Sequence, residues 1–123
     1  MTWLSGTNSS GNWLLTADTA GVYFYMSQSI VLTATVTNST SDGWVHWAVS
    51  RSAGTLKIFK NGTSYGSVST STNYTINNSV LYIGSQSAST GYFTGYMQDL
   101  RITNGVGRYT SNFTVPSTPF LAQ

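Results

Sequence analysis

Residues 43–62, GWVHWAVSRSAGTLKIFKNG, decide how the chain must fold. Two apolar runs, 44–49 and 56–59, flank a polar break at 50–54 that holds one glycine, which reads as a β-hairpin with a loop of about three to five residues. The second run stops at Asn61-Gly62, a pair that tolerates positive φ and turns the chain again. Side chains alternate along a strand, so Ala48 and Ser50 are expected opposite Leu56 and Ile58, with Trp47 meeting Phe59 on the other face. Both faces then carry apolar bulk. Such a hairpin belongs in the interior of a sheet, and the rest of the chain must cover it.

Working outward, residues 13–15, 22–26 and 29–36 read as three short strands separated by polar breaks. In the third, Ile30, Leu32, Ala34 and Val36 alternate with mainly hydroxyl side chains, the pattern of a sheet with one wet face. Downstream, 64–71 is a weak strand, 72–79 a polar connection, and 80–83 a compact apolar strand closed by Gly84. Residues 92–102 form the longest strand expected, interrupted by a bulge or close backbone approach at Gly95. Asn104-Gly105, Gly107, Pro116 and Pro119 mark 103–123 as an ordered tail with at most one short final strand. No segment shows helical periodicity. About eight short, evenly spaced strands indicate an all-β fold, an antiparallel two-sheet sandwich or jelly roll.

Length and composition narrow the chemistry. The 123 residues form one domain, with 1–12 an arm or an unpaired edge; such a length buries about two-thirds of the unfolded surface and needs no staples. Cysteine is absent, which removes disulfides, thiolate metal sites and thiol nucleophiles. Charged residues are 7% of the chain and glutamate is missing, so 19 Ser, 19 Thr and 9 Asn must carry solubility. The net charge of +2 rests on five scattered cations, Arg51, Lys57, Lys60, Arg101 and Arg108. With no basic cluster, nucleic acid is not an expected partner. The amino terminus lacks the cationic and apolar regions of a secretion signal, and no run is long enough to span a membrane. Export is expected by lysis, by a dedicated route or within a particle. Six N-x-S/T triplets are what this composition produces by chance.

A more specific likeness lies in the carboxyl-terminal two-thirds. Trp44-Val-His46-Trp-Ala48, Arg51 and Leu56-Lys-Ile-Phe-Lys-Asn61-Gly62 resemble the W-x-H-x-A-x-x-R … L-x-L-x-x-N-G run of laminin G-like jelly rolls in the concanavalin A-like lectin/glucanase superfamily. Leu81-Tyr-Ile-Gly84, Gly95-Tyr-Met-Gln-Asp99-Leu-Arg101-Ile102 and Gly105-Val-Gly-Arg108-Tyr109-Thr-Ser-Asn-Phe113-Thr-Val-Pro116 continue the likeness. The ending is similar to laminin G-like domains of bacteriophage structural and tail-associated proteins. The resemblance implies a virion component attached to capsid or tail proteins. Two departures matter. The opening strand of the type F-T-I-E-F-W is missing, so the sandwich is expected to lack a strand or two and to leave an edge that pairs with another copy or docks on a larger assembly. Gln98 stands where relatives commonly carry an acid beside Asp99, which weakens any calcium role.

Glucanases on this fold need two carboxyls at fixed separation. Here Asp18, Asp42 and Asp99 lie on different segments, so no enzyme is expected. His46, between Val45 and Trp47 in mid-strand, is read as a packed imidazole rather than a general base. Asp99 and Arg101 should share a strand face as an ion pair or loop holder. Asp42 is a turn former, and it and Asp18 are the only weak cation ligands; no cofactor is expected beyond a possible calcium. Trp44, Trp47, Phe59, Tyr82, Phe93 and Tyr96 are assigned to packing. Trp3, Trp13, Tyr23, Tyr25, Tyr74 and Tyr92 are the candidate binding aromatics, suited to a protein interface and, as the alternative, to glycans in an adhesion module at a cell surface. Arg108, Tyr109 and Phe113 should fasten the tail.

Overall fold

The computed structural model describes residues 2–5, 13–27, 29–72 and 80–120. Eight strands, β1 (Thr2–Ser5), β2 (Trp13–Ala17), β3 (Gly21–Met26), β4 (Ser29–Thr35), β5 (Trp47–Ser52), β6 (Thr55–Lys60), β7 (Thr63–Ser69) and β8 (Tyr82–Ile83), make two antiparallel sheets. The larger has the order β4-β3-β2-β1-β8 and the smaller β5-β6-β7. The chain is thus an all-β, two-sheet antiparallel sandwich, with one 3-10 turn among the described residues, at Thr40–Asp42.

The smaller sheet follows from its turns. Ala53 (φ 45°) and Gly54 (φ 75°) link β5 to β6, and Asn61 (φ 48°) and Gly62 (φ 79°) link β6 to β7. Two central residues at positive φ are what a two-residue type I′ turn requires, and that turn matches the twist of the strands it joins. The first hairpin is therefore tighter than the composition of 50–54 suggests: Ser52 pairs with Thr55, and the polar residues lie inside the ladder. The shorter loop moves the register by one, so Ala48 faces Phe59, Val49 faces Ile58 and Trp47 faces Lys60. Trp47 and Phe59 consequently lie on opposite faces, contrary to the expected pairing. Only β6 is interior to this sheet; β5 is one of its edges among the described residues. It starts at Trp47, leaving His46 just outside it.

One face of each sheet turns inward. Leu15, Ala17, Val22, Leu32 and Ala34 of the large sheet meet Leu56 and Ile58 of the small one, with Val49 and Val68 alongside. Val22, Ala34 and Ile58 are fully buried, and burial of a branched side chain contributes about 1.5–3 kcal/mol. β4 lies against β7 at close range because Gly66 has no side chain; a Cβ there would sit 2.9 Å from the Thr33 carbonyl oxygen.

Three expectations are overturned. Thr2–Ser5 is neither an arm nor an edge: β1 pairs with β2 on one side and β8 on the other. Residues 92–102 form no strand. Gly95 (φ 147°) and Asp99 (φ 53°) interrupt the extended path, and the backbone of residues 94–107 makes no hydrogen bond among the described residues. Asp99 and Arg101 therefore do not share a strand face, and the ion pair among the described residues joins Lys60 to Asp42 instead.

Candidate functional site

The outer face of the small sheet is covered by the tail. Phe59, with no exposed surface, meets the rings of Phe113 at 5.4 Å and Tyr109 at 6.3 Å, and these two stack on each other at 3.6 Å and 7°. The His46 ring stands edge-on to Tyr109, Phe113 and Phe120 at 6.1, 5.6 and 6.2 Å. The Arg101 guanidinium lies 4.0 Å from the Phe120 ring centre, and its Nη2 donates to the Tyr109 hydroxyl at 3.1 Å. Aromatic contacts of this kind contribute about 0.5–1.5 kcal/mol each beyond their area.

Backbone bonds hold the same cover. The Phe113 N–H donates to the Gly62 carbonyl at 2.9 Å, the Ser64 N–H to Asn112 Oδ1 at 3.0 Å, the Tyr109 N–H to Ser50 Oγ at 3.3 Å and Lys57 Nζ to the Thr110 carbonyl at 2.6 Å. Gly62 is required twice, by its φ of 79° and because a Cβ would run into the Phe113 carbonyl. Asn61 completes the turn: its Oδ1 accepts from the His46 N–H at 2.9 Å and its own N–H donates to the His46 carbonyl at 2.8 Å. Of the motif residues, His46, Ala48, Asn61, Gly62, Arg101, Tyr109 and Phe113 converge on this cluster. Arg51 is committed elsewhere, donating through Nη2 to the carbonyls of Thr70 and Thr72 at 3.0 and 2.8 Å. Arg108 donates to Thr103 Oγ1 within its own loop, and Pro116 is exposed.

A second feature is open. The small sheet covers the β4 side of the large sheet, and the remaining inner face looks into a broad cleft of about 2270 Å³. Its lining includes Trp13, Phe24 and Ile83 together with Trp44, Tyr96 and Met97. Trp13 and Phe24 stack at 6.3 Å and 27°. Trp44 is 63% exposed and Tyr96 87%, which corrects their assignment to packing; the run continues through Tyr92, Leu100, Ile102 and Val106, all exposed. Turn residues flank the outliers, Gly43 before Trp44 and Gly95 before Tyr96, and that signal was present in the sequence.

Two of the three side-chain carboxylates, Asp18 and Asp42, are engaged in turns. Asp18 Oδ1 accepts from the N–H of Ala20 at 2.8 Å and of Gly21 at 3.0 Å, and from the Tyr23 hydroxyl at 3.1 Å. These bonds, the Ala20 one foremost, hold Asp18 below the usual carboxylate range; loss of solvent and the Asp18 carboxylate push the Tyr23 phenol up. Asp42 closes a capping box with Ser39 and bonds Lys60 Nζ at 2.7 Å, which lowers it in the same way. Asp99 is exposed, and among the described residues no group of three or more acids or histidines is gathered. Burial, and after it the Arg101 charge, hold His46 below its ordinary value.

The candidate binding aromatics do not form one platform. Tyr23 and Tyr25 pair with Thr16 and Leu14 on the outer face of the large sheet, while Trp13 faces the cleft. Tyr92 is 64% exposed in the loop after β8. The side chain of Trp3 and all of Tyr74 lie outside the described residues. Sequence reasoning missed Phe120 and the Asn112 amide as parts of the tail cover.

A laminin G family model, described as the Concanavalin A-like lectin/glucanases superfamily, matches residues 1–107. No curated protein and no solved structure matches the chain.

Proposed function

Because this chain belongs to the concanavalin A-like lectin/glucanase superfamily, a fold on which sites are grafted independently of architecture, we propose that it is a non-enzymatic structural protein of a bacteriophage particle. It acts by attachment, as a capsid decoration or tail component, and its place is the virion. The observation that carries this reading is residues 94–107, whose backbone is unpaired among the described residues while Tyr96, Ile102 and Val106 are 87%, 56% and 66% exposed. A stretch with free N–H and C=O groups and outward apolar side chains fits a neighbouring particle protein that supplies an extended strand. The phage context rests on the likeness of residues 105–116 to phage-associated domains. The three scattered aspartates, two of them engaged in turns, favour attachment over hydrolysis.

The test is cosedimentation of the chain with assembled particles, repeated with Tyr96→Ser and Ile102→Ser combined. The expected result is retention of the native chain and release of the variant. Retention of both, or recovery of the native chain only as free monomer, overturns the reading. A carbohydrate-binding role is the second reading, favoured by Trp13 and Trp44 facing one open cleft. Saturable binding on a glycan array, run with and without calcium, selects it; a silent array with particle retention selects attachment.

A further inference from the structure

The tail cover contains one polar atom that it does not satisfy. His46 Nδ1 is buried and meets no side-chain or backbone hydrogen-bond partner among the described residues. Its half-buried ring stands nearly perpendicular to the rings of Tyr109, Phe113 and Phe120, all on the tail. A buried polar atom without a partner is destabilising, and partial burial beside the Arg101 charge disfavours the protonated ring further. The charged and titratable groups around it are Arg101, which lies over Phe120, and Tyr109. Lys57 and Lys60, on the strand beneath, are turned to the Thr110 carbonyl and to Asp42. Among the described residues no carboxylate faces the imidazole, and the charge that acts on it, Arg101, has the same sign as a protonated ring.

We propose that His46 is an acid-sensitive pin for the carboxyl-terminal tail: protonation of its imidazole loosens residues 109–120 from the outer face of β6 while the sandwich behind β6 stays folded. The direction follows from linkage. In the closed form burial, and after it the Arg101 charge, outweigh the opposing effect of the residue's own backbone and lower the affinity of the ring for a proton. In the detached form the ring regains an ordinary value near 6.5, so below that pH the detached form binds more protons. Closure is at full strength above about pH 6.5 and weakens as pH falls from there toward the lowered value of the closed form. Each unit by which the closed-form value is depressed corresponds to about a tenfold loss in the closing equilibrium. The two sides of β6 separate because its inward residues Leu56 and Ile58 are held by the larger sheet, whereas Phe59 depends on the tail.

The chain has one histidine, so an NMR titration of the full chain reads this ring alone. The expected result is a midpoint below 6.5, with the Tyr109 and Phe113 amides losing exchange protection over the same pH interval and the Val22 and Ile58 amides keeping theirs. A midpoint at or above 6.5 overturns the proposal, as does tail protection that is unchanged through the ring's titration. His46→Phe separates this from general acid unfolding: it should keep tail protection through the interval, and loss at the same pH as the native chain overturns the proposal. If His46→Phe fails to fold, the ring titration and amide exchange of the native chain decide alone.

Discussion

The tail of residues 107–120 and the segment of residues 94–106 just before it contain no regular structure and carry comparable loads of apolar side chains, yet they have opposite fates. The tail is tied to the small sheet through Gly62, Ser64, Lys57 and Ser50, and its rings enclose Phe59 and His46. The preceding segment touches the same region through Arg101 and otherwise presents Tyr96, Ile102 and Val106 to solvent. Irregular backbone is therefore not the same as loosely held backbone. What separates the two is the supply of partners: the outer side of the small sheet offers the Gly62 carbonyl, the Ser50 hydroxyl, the Ser64 N–H, the Lys57 ammonium and the Phe59 ring, while no strand stands beside residues 94–106 among those described.

That contrast can be broken most directly at Phe113. Phe113→Ala removes a ring that touches Phe59, Tyr109 and His46 and should cost about 3 kcal/mol in a urea melt; a loss under about 0.5 kcal/mol would mean the tail is not the firmly held half. Matched glycines sharpen the comparison. Gly62→Ala combines positive φ with a clash against the Phe113 carbonyl and should cost about 2 kcal/mol, whereas Gly105→Ala, at φ 83° but with nothing near its Cβ position, should cost about 1 kcal/mol. Equal melting midpoints for the two would erase the distinction. In the exposed half, the combined Tyr96→Ser and Ile102→Ser variant should leave stability within about 0.5 kcal/mol of the native chain; a larger drop in the melt would reveal packing that the exposure of these side chains does not express. The smallest effect concerns neither half. The Lys60 ammonium and the Ser39 N–H hold Asp42 below its usual value, so this contribution is complete above about pH 3.8 and fades as pH drops through the lowered folded value. Asp42→Asn should flatten the acid end of the stability curve, and an unchanged slope would place the acid sensitivity elsewhere.

Sequence reasoning served best where structure is local. Alternation in residues 29–36 and the Asn61-Gly62 turn predict β4 and the β6–β7 connection closely, because each depends on neighbours a few residues apart. It errs first by one residue at Ala53-Gly54: an alanine at positive φ is uncommon, so the composition points to a longer loop and sets Trp47 and Phe59 on one face, which the register contradicts. It erred again over residues 92–102, whose composition suits a strand; composition cannot supply the pairing partner. The likeness to laminin G-like domains singled out His46, Arg101, Tyr109 and Phe113 as residues that matter, without saying that they touch.

The order of short strands, the lack of thiols and glutamates, and the sandwich class are written in the chain itself, since periodicity and residue chemistry act over a few positions. That β1 sits inside a sheet, that the two faces of β6 are covered by different parts of the molecule, and that a lone imidazole is closed in by rings more than sixty residues downstream were decided only on folding. Contacts across such separations depend on which surfaces remain uncovered after the local elements form, and no spacing along the chain encodes that remainder.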